Sequence, residues 1–198
     1  CNKPYIFVKK LTLEGIVTKS TGSWYYVRAR DHSTWACKIK GSFRIKGIRT
    51  TNPVAVGDHV DFKEIAGGER EGLITRLHPR KNYIIRRATN LSKESHIIAA
   101  NIDQAIIMAT LAYPQTYSLF IDRFLVTAEA YRIPAKIIFN KVDLYGKELT
   151  RELDEWTRIY EDIGYECLKI SVTGNKNLDQ VRELLKDQTS VISGNSGV

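Results

Sequence analysis

"AKIIFNKVD", residues 135–143, is the stretch on which the fold turns. A short run rich in isoleucine stops abruptly at Asn140-Lys141-Val142-Asp143. Runs of this length and β-branched content suit strands buried on both faces of a parallel sheet. Three others share the character: "QAIIMAT" (104–110), "ECLKI" (166–170) and "SVIS" (190–193). The segments between them, 118–131, 148–163 and 178–186, have helical periodicity. In the second, Leu149, Leu153, Trp156, Tyr160 and Ile163 recur at steps of four and three, with Glu152, Asp154, Glu155 and Arg158 off the stripe. Strand alternating with helix predicts a doubly wound α/β domain with right-handed crossovers, whose ligand sits beyond the carboxyl ends of the strands.

That rule selects three sets of residues. Strand 135–139 runs into Asn140, Lys141, Val142 and Asp143; strand 166–170 into Ser171, Val172, Thr173 and Gly174; strand 190–193 into Gly194, Asn195, Ser196, Gly197 and Val198. We expect the three ends to lie on neighbouring strands and converge on one crevice suited to guanine nucleotide. A fixed carboxylate such as Asp143 can accept both N1–H and the exocyclic amine of guanine, an arrangement adenine lacks, and a mismatch there costs on the order of 1–3 kcal/mol or more. Asn140 would hold the loop and donate toward N7, the stem of Lys141 would lie over the ring, and a main-chain N–H between Ser171 and Gly174 would meet the guanine oxygen. The glycines of 194–198 allow a tight turn with amides pointing at phosphate, matching the first five positions of G-x-x-x-x-G-K-[ST]. Singly, each signal has a plain alternative: Asp143 as a helix cap, 194–198 as a Gly/Ser tail. Joint placement after strands carries the inference. In an ordinary GTP-binding domain the phosphate loop precedes N-K-x-D; here Asn140 precedes Gly194, so the order is permuted.

Residues 11–78 have a different period. Short alternating runs rich in Val, Ile, Trp and Tyr, broken at Gly22, Gly41, Gly57 and Gly67-Gly68, predict a small closed barrel, by length a five-stranded OB type. Trp24, Tyr25, Tyr26, Trp35 and Phe43 interleave with basic residues, and about two of these five aromatics are expected to face outward. Residues 1–90 carry 18 Lys and Arg against 7 Asp and Glu, whereas 91–198 carry 12 against 15. Positive charge gathered in one half favours a polyanionic partner over a merely solvated surface. The candidates for RNA contact are Arg28, Arg30, Lys38, Lys40, Arg44, Lys46, Arg49, Arg80, Lys81, Arg86 and Arg87. The expected organisation is an RNA-binding barrel (1–78), a linker (79–100) and the α/β domain (101–198).

No stretch approaches the roughly 20 apolar residues of a membrane span, and "CNKPYIFVKK" has no signal-peptide centre. Three cysteines, Cys1, Cys37 and Cys167, show neither metal spacing nor a disulfide framework. The expectation is a monomeric cytoplasmic protein without a metal centre of its own in this chain, with Cys37 and Cys167 buried as small apolar side chains.

The stretches "FRIKGIRTTNPVAVGDHVDF", "RRATNLSKESHIIAANIDQ", "NKVDLY" and "SVISGNSGV", with barrel preceding permuted α/β domain, closely resemble the RsgA (YjeQ) family of bacterial small ribosomal subunit assembly GTPases, over essentially the whole chain. The resemblance implies an OB-type barrel followed by a partial, circularly permuted P-loop GTPase domain. It implies contact of barrel and linker with 16S rRNA on the 30S subunit, GTP hydrolysis stimulated by that particle, and a role late in its maturation. By the same resemblance Asn140, Lys141 and Asp143 read guanine, Ser171 to Gly174 support the base, and Gly194 to Val198 open the phosphate loop. Family members continue through Gly-Lys-Ser/Thr, switch regions and a C-terminal zinc domain. The expectation is therefore a fragment that alone neither hydrolyses GTP nor holds it tightly, with catalytic residues, Mg²⁺ ligands and Zn²⁺ ligands outside it. Two other readings stay open: an RNA-binding module without GTPase activity, and a permuted GTPase acting on another ribosomal particle.

Overall fold

The computed structural model describes residues 12–39, 53–65, 69–87 and 95–198. They fall into two compact units, Cys1–Asn101 and Ile102–Val198.

In the first unit, β1 (Thr12–Ser20), β2 (Tyr25–Ala29), β3 (Thr34–Ile39), β4 (His59–Glu64) and β5 (Glu71–Leu77) close into a barrel of order β1-β2-β3-β5-β4. All pairings are antiparallel except β3 with β5. This is the five-stranded barrel expected from the alternation. Tyr25, Val27 and Ala29 of β2 point inward with Val17, Cys37, Val60, Phe62 and Ile74, while Tyr26, Arg28 and Arg30 take the outer face. Of the five aromatics, Tyr25 belongs to the core. Trp35 is half-buried, packs against Phe62 at 5.6 Å and donates to Ser33 Oγ at 2.8 Å. Trp24 and Tyr26 lie on the outer side, and Phe43 lies outside the described residues.

The segment read as a linker contains β6 (Tyr83–Arg87) and β7 (Ser95–Ala100), an antiparallel pair belonging to the first unit. It is fastened to residues 53–58. Val56 bridges Ala99, the Asn101 side chain donates to Gly57 O at 2.9 Å, and the Arg80 guanidinium holds Asp58.

The second unit contains β8 (Gln104–Ala109), α1 (Ser118–Ala130), β9 (Ala135–Phe139), α2 (Lys147–Asp162), β10 (Glu166–Lys169), α3 (Leu178–Leu185) and β11 (Ser190–Gly194). The sheet order is β10-β9-β8-β11, all parallel. Ile107, Ala109, Ile137 and Phe139 meet α1 and α2 through Ile121, Leu125, Leu153 and Tyr160; Ile106, Ile138 and Ile170 meet α3 through Leu178, Val181, Leu184 and Leu185. Burial of both faces explains why these strands read as nearly continuous apolar runs. The stripe on α2 holds for Leu149 to Tyr160; Ile163 follows the last turn and is exposed. No helix among the described residues is long and apolar enough to cross a membrane.

Cys37 is buried and Cys167 half-buried. Burial pushes both thiols up to about 12, so both remain protonated at pH 8 and lack the thiolate that alkylation needs. Native protein treated with iodoacetamide at pH 8 should yield both peptides unlabelled by mass spectrometry, with labelling restored in urea. Fast native labelling of Cys37 would contradict the packing.

Candidate functional site

Because the four strands are parallel, their carboxyl ends share one edge. The three sets of residues singled out above all stand there, but not on three neighbouring strands. β9 and β10 are adjacent, whereas β8 lies between β9 and β11. The chain starts in the middle of the sheet, winds outward through β9 and β10, then crosses by α3 to the other side of β8. This produces a switch point between β8 and β11, where a ligand crevice is expected. A fourth segment therefore joins the site: residues 110–117, leading from β8 to α1.

Asn140 organises the centre. Its N–H donates to Ala109 O at 2.9 Å, and its Oδ1 accepts from the Val172 N–H at 3.4 Å. Its carbonyl accepts from the Tyr145 hydroxyl at 2.9 Å, and the same hydroxyl accepts from the Leu111 N–H at 2.9 Å. One buried asparagine thus links the ends of β8, β9 and β10. Its Nδ2 makes no hydrogen bond with a described residue, so the donor proposed for the N7 side of a purine is available.

Lys141 adopts a left-handed conformation, φ 60°, and leads into a short 3₁₀ turn at Val142–Leu144. The turn is anchored where the Val142 N–H meets Ile170 O at 3.2 Å. The Lys141 ammonium donates to Tyr113 O and to Gly197 O, both at 2.5 Å. It thereby connects the N-K-x-D loop with the 110–117 segment and with the turn after β11. Asp143 is exposed, and its carboxylate makes no hydrogen bond or ion pair with a described residue. A Cβ built on Gly174 would lie 3.6 Å from the Asp143 Cβ, which sets the two loops side by side. The Gly174 N–H is taken by Ser171 Oγ at 2.7 Å and the Val172 N–H by Asn140. The Thr173 amide has no partner among the described residues, leaving it free for an acceptor such as a guanine oxygen.

At the last residue of β11 the backbone of Gly194 passes so close to β8 that a Cβ there would come within 2.7 Å of Met108 O. Gly197 has φ +83°, a conformation that favours glycine. The Ser196 and Gly197 amides have no partner among the described residues, and Val198 N–H closes the turn on Asn195 O at 3.3 Å. Unengaged amides in a glycine turn form an anion-binding concavity. No group of three or more His, Cys, Asp and Glu among the described residues is placed to hold a metal ion.

On the barrel, Arg28, Arg30 and Lys38 are exposed. The Lys38 ammonium lies 4.3 Å from the Trp24 ring and Lys19 lies 5.5 Å from Tyr26, so two aromatics carry cations on the outer face. Arg30 pairs with Glu14. A 630 Å³ cleft beside them is lined by Arg28, Arg30, His32, His59 and His78, among others. Arg80 needs correction as an RNA candidate: its side chain is 8% exposed, and both ends of its fork are engaged by Asp58 at 2.7 Å. Lys81 is exposed, and its N–H donates to Asn101 Oδ1 at 2.8 Å. Lys40, Arg44, Lys46 and Arg49 lie outside the described residues, as do the side chains of Arg86 and Arg87 in β6.

Tyr145 and the 110–117 segment escaped the sequence reading. The same strand-end rule, applied to "QAIIMAT", would have reached Leu111 to Tyr117. Nothing local marks the Tyr145 hydroxyl, whose partners lie on two strand ends.

Comparison with known proteins follows this division. A family model described as RsgA N-terminal domain matches residues 14–74, and one described as RsgA GTPase matches residues 77–198. The small ribosomal subunit biogenesis GTPase RsgA of Phocaeicola vulgatus is 53% identical over 186 residues, covering 94% of this chain and 59% of that protein. A protein of the same name from Bacteroides fragilis is 52% identical with the same coverage. The crystal structure of YjeQ from Thermotoga maritima superposes with a TM-score of 0.77 at 30% identity, covering 94% of this chain and 62% of that one. YloQ, described as a circularly permuted GTPase, gives 0.74 at 26% identity, covering 99% and 63%. The chain spans 59% of the length of these curated relatives.

Proposed function

The chain belongs to the RsgA family, whose members are named small ribosomal subunit biogenesis GTPases, and from that premise we propose that it supplies the base-reading and RNA-docking parts of a GTPase working on the 30S subunit. The observation that supports this best is the clasp at one sheet edge. Lys141 joins the N-K-x-D loop to the glycine turn through Gly197 O, while the Asp143 carboxylate stands unpaired beside Gly174.

Asp143 accepts N1–H and the 2-amino group of guanine, Asn140 Nδ2 donates toward N7, and the Thr173 amide meets O6. Each contact uses a group with no partner among the described residues. The Gly194–Val198 turn receives phosphate through its amides. In hydrolysis to GDP and phosphate, water attacks the γ-phosphorus and the bond to the β–γ bridging oxygen breaks. The described residues bind and position the nucleotide. The barrel tracks rRNA with its exposed cations and offers Trp24 and Tyr26 to unpaired bases. The working place is the cytoplasm, where 30S particles mature.

The test uses a chain of the relatives' full length. GTP turnover should rise with added 30S subunits and not with 50S, ATP should not compete, and the protein should co-sediment with 30S. Exclusive co-sedimentation with 50S, or equal turnover of ATP, would overturn the proposal. Joint Arg28→Glu and Lys38→Glu should weaken 16S rRNA binding at least about tenfold near 0.1 M salt and flatten the log–log salt slope by about two, with nucleotide affinity unchanged. An unaltered slope would remove the β2–β3 face from the interface.

A further inference from the structure

We propose that Tyr145 is a positioning residue for guanine selectivity, its hydroxyl fixing the loop that aims Asp143. The inference rests on reading 140–143 as the base-contacting loop, and it assigns a role to a residue outside that motif.

Between Asn140 and Val142 the chain turns sharply through the left-handed Lys141, so the direction of Asp143 depends on how firmly the two sides of the turn are held. One side is held by Val142 N–H on Ile170 O. The other is Asn140, whose carbonyl accepts from the Tyr145 hydroxyl at 2.9 Å, while that hydroxyl oxygen accepts from Leu111 N–H at 2.9 Å. A single oxygen therefore ties the loop after β9 to the loop after β8. Tyr145 is half-buried, with its ring packed in the cluster of Leu111, Leu153 and Phe139. Burial raises the hydroxyl above its usual range and outweighs the lowering effect of its contacts with the Leu111 and Ala112 backbone. It stays protonated at neutral pH and keeps donating to Asn140.

Removing the oxygen leaves two backbone groups in buried residues, Leu111 N–H and Asn140 C=O, without this partner. The ring and its packing remain, so Tyr145→Phe should fold. A two-point contact from Asp143 to N1–H and the 2-amino group is sensitive to angle; a one-point contact is much less so. Loss of positioning should therefore weaken a guanine ligand more than a hypoxanthine ligand, which lacks the 2-amino group. General loosening of the fold would weaken both alike.

The experiment measures GDP and IDP affinities by fluorescent-nucleotide competition in a chain of the relatives' full length, for the unmodified protein, Tyr145→Phe and Asp143→Asn, with circular dichroism to confirm folding. Tyr145→Phe should lower the GDP-over-IDP preference about fivefold, with IDP changed less than about twofold. An unchanged preference in Tyr145→Phe, whether both ligands weaken or neither does, overturns the proposal. The base-reading assignment still stands in that case if the unmodified protein prefers GDP and Asp143→Asn loses the preference. Absence of a GDP preference in the unmodified protein, or its survival in Asp143→Asn, overturns both.

Discussion

Asp143→Asn should weaken GDP binding by about a hundredfold in a chain of the relatives' full length, the largest effect of any single change at the nucleotide edge. In the proposed base-reading role the carboxylate accepts two hydrogen bonds from guanine and carries a charge, and hydrogen bonds to a charged acceptor are roughly twice as strong as neutral ones. An asparagine can turn its oxygen to N1–H, but its NH₂ then faces the 2-amino group, donor against donor. A lost charged contact together with a desolvated, unpaired amine accounts for about 2–3 kcal/mol, which is the expected hundredfold. Xanthine, with an oxygen at position 2, should lose less, since the amide NH₂ can donate to it. Competition titrations with GDP and XDP check both expectations. RNA affinity should be untouched, because the candidate RNA contacts belong to the first unit. Loss of GDP and RNA binding together would mean that Asp143 supports the fold rather than the base.

Both architectures are legible in the sequence for a simple reason: their burial patterns repeat. β8, β9 and β10 lie between helices on both faces and read as short, mostly apolar runs, while β2 shows inward Tyr25, Val27 and Ala29 against outward Tyr26 and Arg28. The strand-end rule then finds Asn140, Ser171 and Gly194 without knowledge of strand order. What remained hidden depends on partners distant in sequence. β6 is a short apolar run ended by Arg86 and Arg87, so it reads as a basic connector, and only pairing with β7 makes it a strand. The Tyr145 hydroxyl acts through Leu111, 34 residues earlier. Arg80 counted as surface charge in the sequence, yet its partner Asp58 lies 22 residues away and buries it. Charge counts do not separate a solvated cation from an internal clamp.

That clamp yields the largest expected effect on stability. Asp58 is fully buried, with Oδ1 accepting from Arg80 Nε at 2.7 Å and Oδ2 from Arg80 Nη2 at 2.7 Å and from Ala55 N–H at 2.8 Å. The same Arg80 nitrogen donates to Pro53 O at 2.8 Å. Residues 57–58 are in turn stitched to β1, with Val17 N–H on Asp58 O at 2.9 Å and Gly57 N–H on Val17 O at 2.8 Å. Asp58→Ala deletes one member of a buried, bidentate pair and strands a guanidinium away from water, which costs about 3–5 kcal/mol. Urea unfolding followed by fluorescence of Trp24 and Trp35 should show the barrel transition at much lower urea, and Arg80→Ala should behave alike. Replacing both members, Asp58→Leu with Arg80→Met, should recover part of the loss, because the penalty lies in the unpaired charge more than in the missing attraction. By contrast, breaking the exposed Arg30–Glu14 pair should move stability by no more than about 1 kcal/mol. A loss below about 1 kcal/mol in Asp58→Ala would show that Arg80 finds another partner or water, and that segment 53–58 is held to the barrel by its backbone bonds to β1.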